Sequence, residues 1–244
     1  MSETREFPPI DPTFCGPPGC ANGGYLAGRL AAAHPGAGTC QVRLNRPTPV
    51  GKPLRLVIDA EVIRLFDGAD LLAEAAAAEP PDEAPAPVDW ATARTAEARY
   101  AGAVDHPFPT CFVCGPRNPW GLHLRPGPVG PGRVATTWRV AGGGHRGTPP
   151  ELLWAALDCP SGWSADIAGR PMVLGRIRAR ILDVPEVDQD VVIVGELRAR
   201  AERTALTVSA IFDRDGRLLA HADATWASKP PSRQVIRERR RSRR

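Results

Sequence analysis

Asn22-Gly-Gly-Tyr-Leu-Ala-Gly-Arg-Leu-Ala-Ala-Ala-His34 and Pro150-Glu-Leu-Leu-Trp-Ala-Ala-Leu-Asp-Cys-Pro-Ser-Gly-Trp163 read as one helix written twice. In the first copy the Asn22 side chain is placed to cap the helix, and Gly23 and Gly24 fall in the opening turn. Leu26 and Leu30 form its apolar stripe, and His34-Pro35-Gly36 stops it, because proline cannot continue a helix. In the second copy Asp158 stands on an otherwise apolar helix, and the equivalent position of the first copy is Ala31. Pro160, two residues beyond the acid, removes an amide and predicts a kink there.

Each helix is followed by β-type segments. After the first come Thr39 to Asn45, Pro53 to Leu65 and Asp70 to Ala78, with Asp67-Gly68 as a turn. Arg133 to Val140 precedes the second helix, and a Gly142-Gly-Gly loop separates them. Behind that helix, Arg176, Arg178 and Arg180 alternate with Ile177, Ala179 and Ile181, the pattern of a sheet with one wet face. Val191 to Ala199 and Thr204 to Phe212 follow, and Asp215-Gly216 makes a hairpin into Leu218 to Trp226. Phe66-Asp-Gly-Ala-Asp-Leu-Leu-Ala-Glu-Ala75 matches Phe212-Asp-Arg-Asp-Gly-Arg-Leu-Leu-Ala-His-Ala222, so the sheets repeat as well as the helices. The first copy is the shorter, by enough for a strand or two and a turn. The expected organisation is a first unit over residues 1–80, a Pro/Ala-rich linker over 81–106, a second unit over 107–228 and a basic disordered tail over 229–244. Trp90 to Tyr100 is a short helix candidate inside the linker.

Charge narrows the function classes. The chain of 244 residues carries a formal +4, but the stretch from Lys229 onward holds eight Lys or Arg against one Glu. Its +7 leaves the remainder near −3, so the body is mildly acidic and nucleic acid is not the expected partner. No apolar run is long enough for a membrane span, and the N-terminus lacks the basic-then-apolar order of a signal peptide. A cytoplasmic protein with reduced cysteines is expected, since the six cysteines show no dense disulfide spacing.

A helix with a strand before it and an antiparallel sheet wrapped around it resembles the hotdog fold. Three motifs sharpen the likeness. Cys111-x-x-Cys114-Gly115-x-x-Asn118-Pro119-x-Gly121-Leu122-x-Leu124 resembles the opening of phenylacetate-pathway-type hotdog thioesterases. Asn22-Gly23-Gly24-Tyr25-Leu26 is similar to the first helix of double-hotdog acyl-CoA thioesterases, and Leu152 to Asp158 to the second, acid-bearing helix. The resemblance implies an α+β double hotdog whose first unit is shortened, acting on an acyl-CoA type thioester, with further pairing into a homodimer common in the family. It implies Asp158 as base or nucleophile, and Asn22, Gly23 and Gly24 as the substrate-binding turn whose amides steady the developing oxyanion. No metal and no redox cofactor are implied. Only one composite site is complete, because Pro149-Pro150-Glu151 replaces the glycine pair in the second copy and no counterpart of the family's assisting Gln is present near His221 to Thr225.

Plainer roles compete for these residues: a capping or ion-paired Asp158, and glycines that only let a helix pack closely. A non-catalytic acyl-CoA-binding protein with a degenerate site is the alternative function. Cys111 and Cys114, alone, are a weak zinc signal that Cys15, Cys20, His106 or His123 would have to complete. Cys159 has no base near it in sequence. Trp120, Trp154 and Trp163 are core candidates, with one or two lining an acyl tunnel.

Overall fold

The computed structural model describes residues 2–34, 38–140 and 148–228. The Pro35-Gly36 helix stop, the Gly142 loop and the basic tail from Lys229 lie outside the described residues. One antiparallel sheet runs through the whole molecule. The strands are β1 (Glu3–Phe7), β2 (Thr39–Leu44), β3 (Leu54–Ile58), β4 (Val62–Asp67), β5 (Asp70–Ala77), β6 (Gly127–Gly130), β7 (Arg133–Arg139), β8 (Met172–Ile181), β9 (Asp190–Arg200), β10 (Thr204–Asp213) and β11 (Leu218–Ser228). Their spatial order is β1-β3-β4-β5-β2-β8-β11-β10-β9-β7-β6.

Read outward from the β2–β8 seam, the two halves have the same topology: β2-β5-β4-β3-β1 on one side, β8-β11-β10-β9-β7 on the other. Each half wraps one long helix, α1 (Gly23–Ala33) or α3 (Pro150–Ser164). The first half therefore keeps a counterpart of every strand except the edge strand β6. Its shortening is in strand length: β2 to β5 have 6, 5, 6 and 8 residues, against 10, 11, 10 and 11 for β8 to β11. The segment read as one strand from Pro53 to Leu65 is two, β3 and β4. Asp59 accepts hydrogen bonds from the amides of Glu61 and Val62, at 3.1 and 2.7 Å, and closes the turn between them without a glycine.

At the seam, Val42 pairs with Ile177 and Gln41 with Arg178. The arginine face of β8 is not simply wet. Arg176 and Arg178 both bond the buried Asp223 carboxylate, at 2.7 and 2.6 Å, and they reach on to Gln41 of the first half and Asp82 of the connecting segment. That segment also packs down as α2 (Trp90–Ala96). Ala93, with Val88 and Trp90 beside it, covers an outer apolar patch of Ala135, Val192, Val194, Ala210 and Phe212. The main core lies on the other face, between α1, α3 and the sheet, where Leu26, Leu30, Leu153, Leu157 and Ile193 are fully buried. Each such side chain contributes roughly 1.5–3 kcal/mol on removal from water.

Two glycines seat α3 on its sheet. A Cβ at Gly195 of β9 would strike the Pro160 carbonyl, and one at Gly162 would lie 2.7 Å from the Trp226 ring. The helix runs on through Pro160 to Ser164 rather than breaking at the acid. Hydroxyls support the carbonyls around the proline: Ser209 donates to Leu157 at 2.8 Å and Ser161 to Asp158 at 2.8 Å, while the Trp226 indole donates to Ser161 at 2.9 Å. Among the described residues, no helix is long and apolar enough to cross a membrane.

Candidate active site

The site forms where α1 and α3 cross. A Cβ at Gly24 would come within 2.5 Å of the Trp154 carbonyl and the Asp158 Cβ; one at Gly28 would come within 2.5 Å of the Glu151 Cα. Glycine at both positions lets the helices touch through backbone, which brings the first turn of α1 onto the side chain of Asp158.

Asn22 does two jobs there. Its Oδ1 accepts from the Tyr25 amide at 2.9 Å, capping α1, and its Nδ2 donates to Asp158 Oδ2 at 3.0 Å. The Gly24 amide donates to the same oxygen at 2.9 Å. A carboxylate at a helix N-terminus is favourably placed for both donors and dipole. Asp158 Oδ1 is buried and has no partner among the described residues. Burial pushes the Asp158 carboxyl up to about 7, and the nearby Cys111 adds to that rise; the Gly24 and Asn22 donors pull the other way.

The structure thus brings together all four residues singled out from the sequence, with a change of role for one. The Gly24 amide is engaged by the acid and is not free to meet an oxyanion. Gly23, one residue earlier, keeps its amide in the opening turn, where an α-helix offers no acceptor.

A cavity of about 330 Å³ opens beside these groups. Asn22, Gly23 and Asp158 form its polar end; Leu26, Leu44, Ile167, Met172, Leu174 and Trp226 line the apolar remainder. The tryptophan on the wall is Trp226, which the sequence did not single out. Trp154 and Trp163 are core residues as expected, but neither they nor Trp120, which is 76% exposed, line the cavity.

The Cys111–Leu124 motif supplies another stretch of wall through Cys111 and Cys114, with His106 to Phe108 just before it. Asn118 and Gly121 hold the motif in place. Asn118 Nδ2 donates to the carbonyls of Thr13 and Thr110, at 2.8 and 3.1 Å. A Cβ at Gly121 would lie 2.6 Å from the Phe112 carbonyl. Cys159, on α3, lies next to Cys111, their sulfurs 3.6 Å apart. Sequence reasoning did not join these two, since 48 residues separate them and only the fold brings α3 under the loop.

At the level of sequence, no family model matches the chain and no curated protein does so either. Solved structures do match over its length. The tesB protein of Mycobacterium avium subs paratuberculosis superimposes with a TM-score of 0.62 at 15% identity, over 93% of this chain and 93% of that one. A hot dog fold protein of unknown function from Alicyclobacillus acidocaldarius gives 0.62 at 12% identity, over 94% of each chain. A protein provisionally assigned as a thioesterase, from Novosphingobium aromaticivorans, gives 0.62 at 17%, over 93% of this chain and 96% of that one. At such identities the likeness is one of fold, and with the repeated topology it makes the chain a double hotdog of the α+β class.

Proposed function

We propose that the chain hydrolyses an acyl thioester of the acyl-CoA type at the one composite site between its halves. The observation that carries this is the state of the Asp158 carboxylate. One of its oxygens is held by two N–H donors from the opposite half, and the other is unpartnered on the wall of a mostly apolar cavity. A buried carboxylate oxygen without a donor is costly, and a water or ligand donating to it from the cavity would relieve that cost. The full-length neighbour provisionally assigned as a thioesterase supports a thioester as the substrate.

In this scheme the acyl chain lies along Leu26, Met172 and Trp226, with its carbonyl at the polar end. Asp158 Oδ1 takes a proton from water as the water oxygen bonds to the carbonyl carbon. The Gly23 amide faces the oxyanion that forms. Collapse of that intermediate breaks the C–S bond, and the proton held by Asp158 leaves with the thiolate as free thiol. The products are a carboxylic acid and a thiol, with no other reactant needed.

The test is an acyl-CoA panel followed through loss of thioester absorbance, a readout that the protein's own thiols do not disturb. Hydrolysis of at least one chain length by wild type, lost in Asp158→Asn, is the expected result. Binding of acyl-CoA without turnover at any chain length would replace this reading with a non-catalytic acyl-CoA-binding protein.

A further inference from the structure

We propose that Cys111, Cys114 and Cys159 form a zinc site that fastens the cavity-wall loop to α3. All three are buried, and their sulfurs lie within 4.8 Å of one another. Two come from the Cys-x-x-Cys-Gly turn, which the Gly115 amide closes on the Cys111 carbonyl at 2.8 Å. A Cβ at Gly115 would collide with the Cys111 backbone, so the turn depends on glycine. This spacing presents two sulfurs to one ion, and a further thiolate from elsewhere in the fold is the usual complement. The third ligand is none of Cys15, Cys20, His106 or His123, the residues that sequence offered. Cys15 is bonded to the Thr110 carbonyl at 3.0 Å, and His123 is exposed. It is Cys159.

The surroundings are built for negative sulfur. Asn22 Nδ2 faces the Cys111 sulfur at 3.8 Å and the Cys159 sulfur at 4.0 Å. The Trp163 indole N–H is buried and has no hydrogen-bond partner among the described residues. Neutral thiols are weak acceptors and gain little from such an amide; zinc-bound thiolates, which carry one more negative charge than the ion neutralises, gain more. A disulfide would use two of the sulfurs, neutralise both and leave the third alone among these donors.

Zinc takes about four ligands. His106 is on the same wall, but its Nδ1 accepts the Phe108 amide at 2.9 Å. Its proton is therefore on Nε2, which leaves no lone pair for a metal. All three cysteines line the cavity, so the remaining position falls to a water there. The site stands whether or not a thioester is cleaved beside it.

The experiment uses the full chain, purified without chelator, with zinc counted by elemental mass spectrometry. About one zinc per chain is expected, and Cys111→Ser and Cys159→Ser should each hold less than about a tenth of that. Cys40→Ser, at a buried cysteine in the other half, should keep the wild-type content. Cobalt exchanged into wild type should give the near-ultraviolet thiolate-to-metal absorption, which decides the matter even if the serine variants do not fold. Wild type that holds no zinc after refolding with it, full zinc in Cys159→Ser, cobalt without the thiolate band, or a Cys111–Cys159 disulfide in the native protein would each overturn the proposal.

Discussion

The first turns of α1 and α3 occupy equivalent places in the two halves, yet they are equipped differently. Gly24 packs against Ala155 and Gly28 against Glu151, and exchanging the halves turns one contact into the other. Counted from the start of each helix, Ala31 and Asp158 both stand ninth. The crossing has kept its two-fold character while the chemistry has not. Asn22 and Gly24 give one end a side-chain amide and a backbone amide for the acid; Pro149 and Glu151 give the other end no side-chain donor and a carboxylate of its own. Packing needs only small residues on one side of each contact, so it survives changes that remove an acid or a donor.

The comparison breaks most sharply at the acid. Asp158→Asn keeps an oxygen to accept from Gly24 and Asn22, so the crossing should stay intact. Thioester hydrolysis should fall by roughly 10³-fold in kcat, within the range for loss of a general base. Activity within tenfold of wild type would move the chemistry away from α3 altogether.

Next in size are the two glycines, which separate packing from chemistry. Adding a Cβ at Gly24 or Gly28 forces it against backbone of α3, which cannot rotate away. Overpacking of this kind costs roughly 1–3 kcal/mol, against about 1 kcal/mol gained from alanine's helix propensity. Both variants should melt lower, by up to about 8 °C for a chain of this size. Only Gly24→Ala should also lose most of its activity, because it alone displaces an amide from Asp158. Equal activity losses in the two would mean that helix spacing, and not the Gly24 donor, is what the site depends on.

Asn22 tests the cap against the donor. Asn22→Ser keeps an oxygen for the Tyr25 amide but loses the Nδ2 group, whereas Asn22→Ala loses both. Thermal unfolding should place the alanine variant about 1 kcal/mol below the serine variant. Both should lose roughly tenfold in kcat, since one of two donors to the acid is gone. A serine variant with full activity would assign Asn22 to capping only.

The sequence made the repeat visible because it is written in strong local signals: Asn-Gly-Gly before an apolar stripe, Asp-Gly turns at Gly68 and Gly216, and alternating Arg and Ile on β8. The acid and its glycine turn were legible for the same reason, each lying on a helix with its partner's position marked by the repeat. Other features depend on contacts that no local pattern records. β1 is short and polar, an edge strand that only its pairing with β3 makes a strand. The β3–β4 turn uses Asp59 as its closing acceptor and has no glycine or proline to announce it. Engagement of the Gly24 amide by Asp158, and the meeting of Cys159 with Cys111 and Cys114, arise from the helix crossing itself. A spacing rule reads only within a segment.

The smallest effect should come from trying to restore the lost half. Ala31→Asp puts an acid on α1 at the place equivalent to Asp158, on a partly buried residue at the edge of the core. The donors it would face are those of the α3 start, where Pro149 stands for Asn22 and proline at position 150 has no amide. Glu151 would add a like charge. Wild-type rates should therefore change by less than about twofold, and Ala31→Asp placed in the Asp158→Asn background should stay inactive. Recovery of hydrolysis in that double variant would show that the halves differ only in where the acid sits; its failure places the asymmetry in the donors, which a single carboxylate cannot replace.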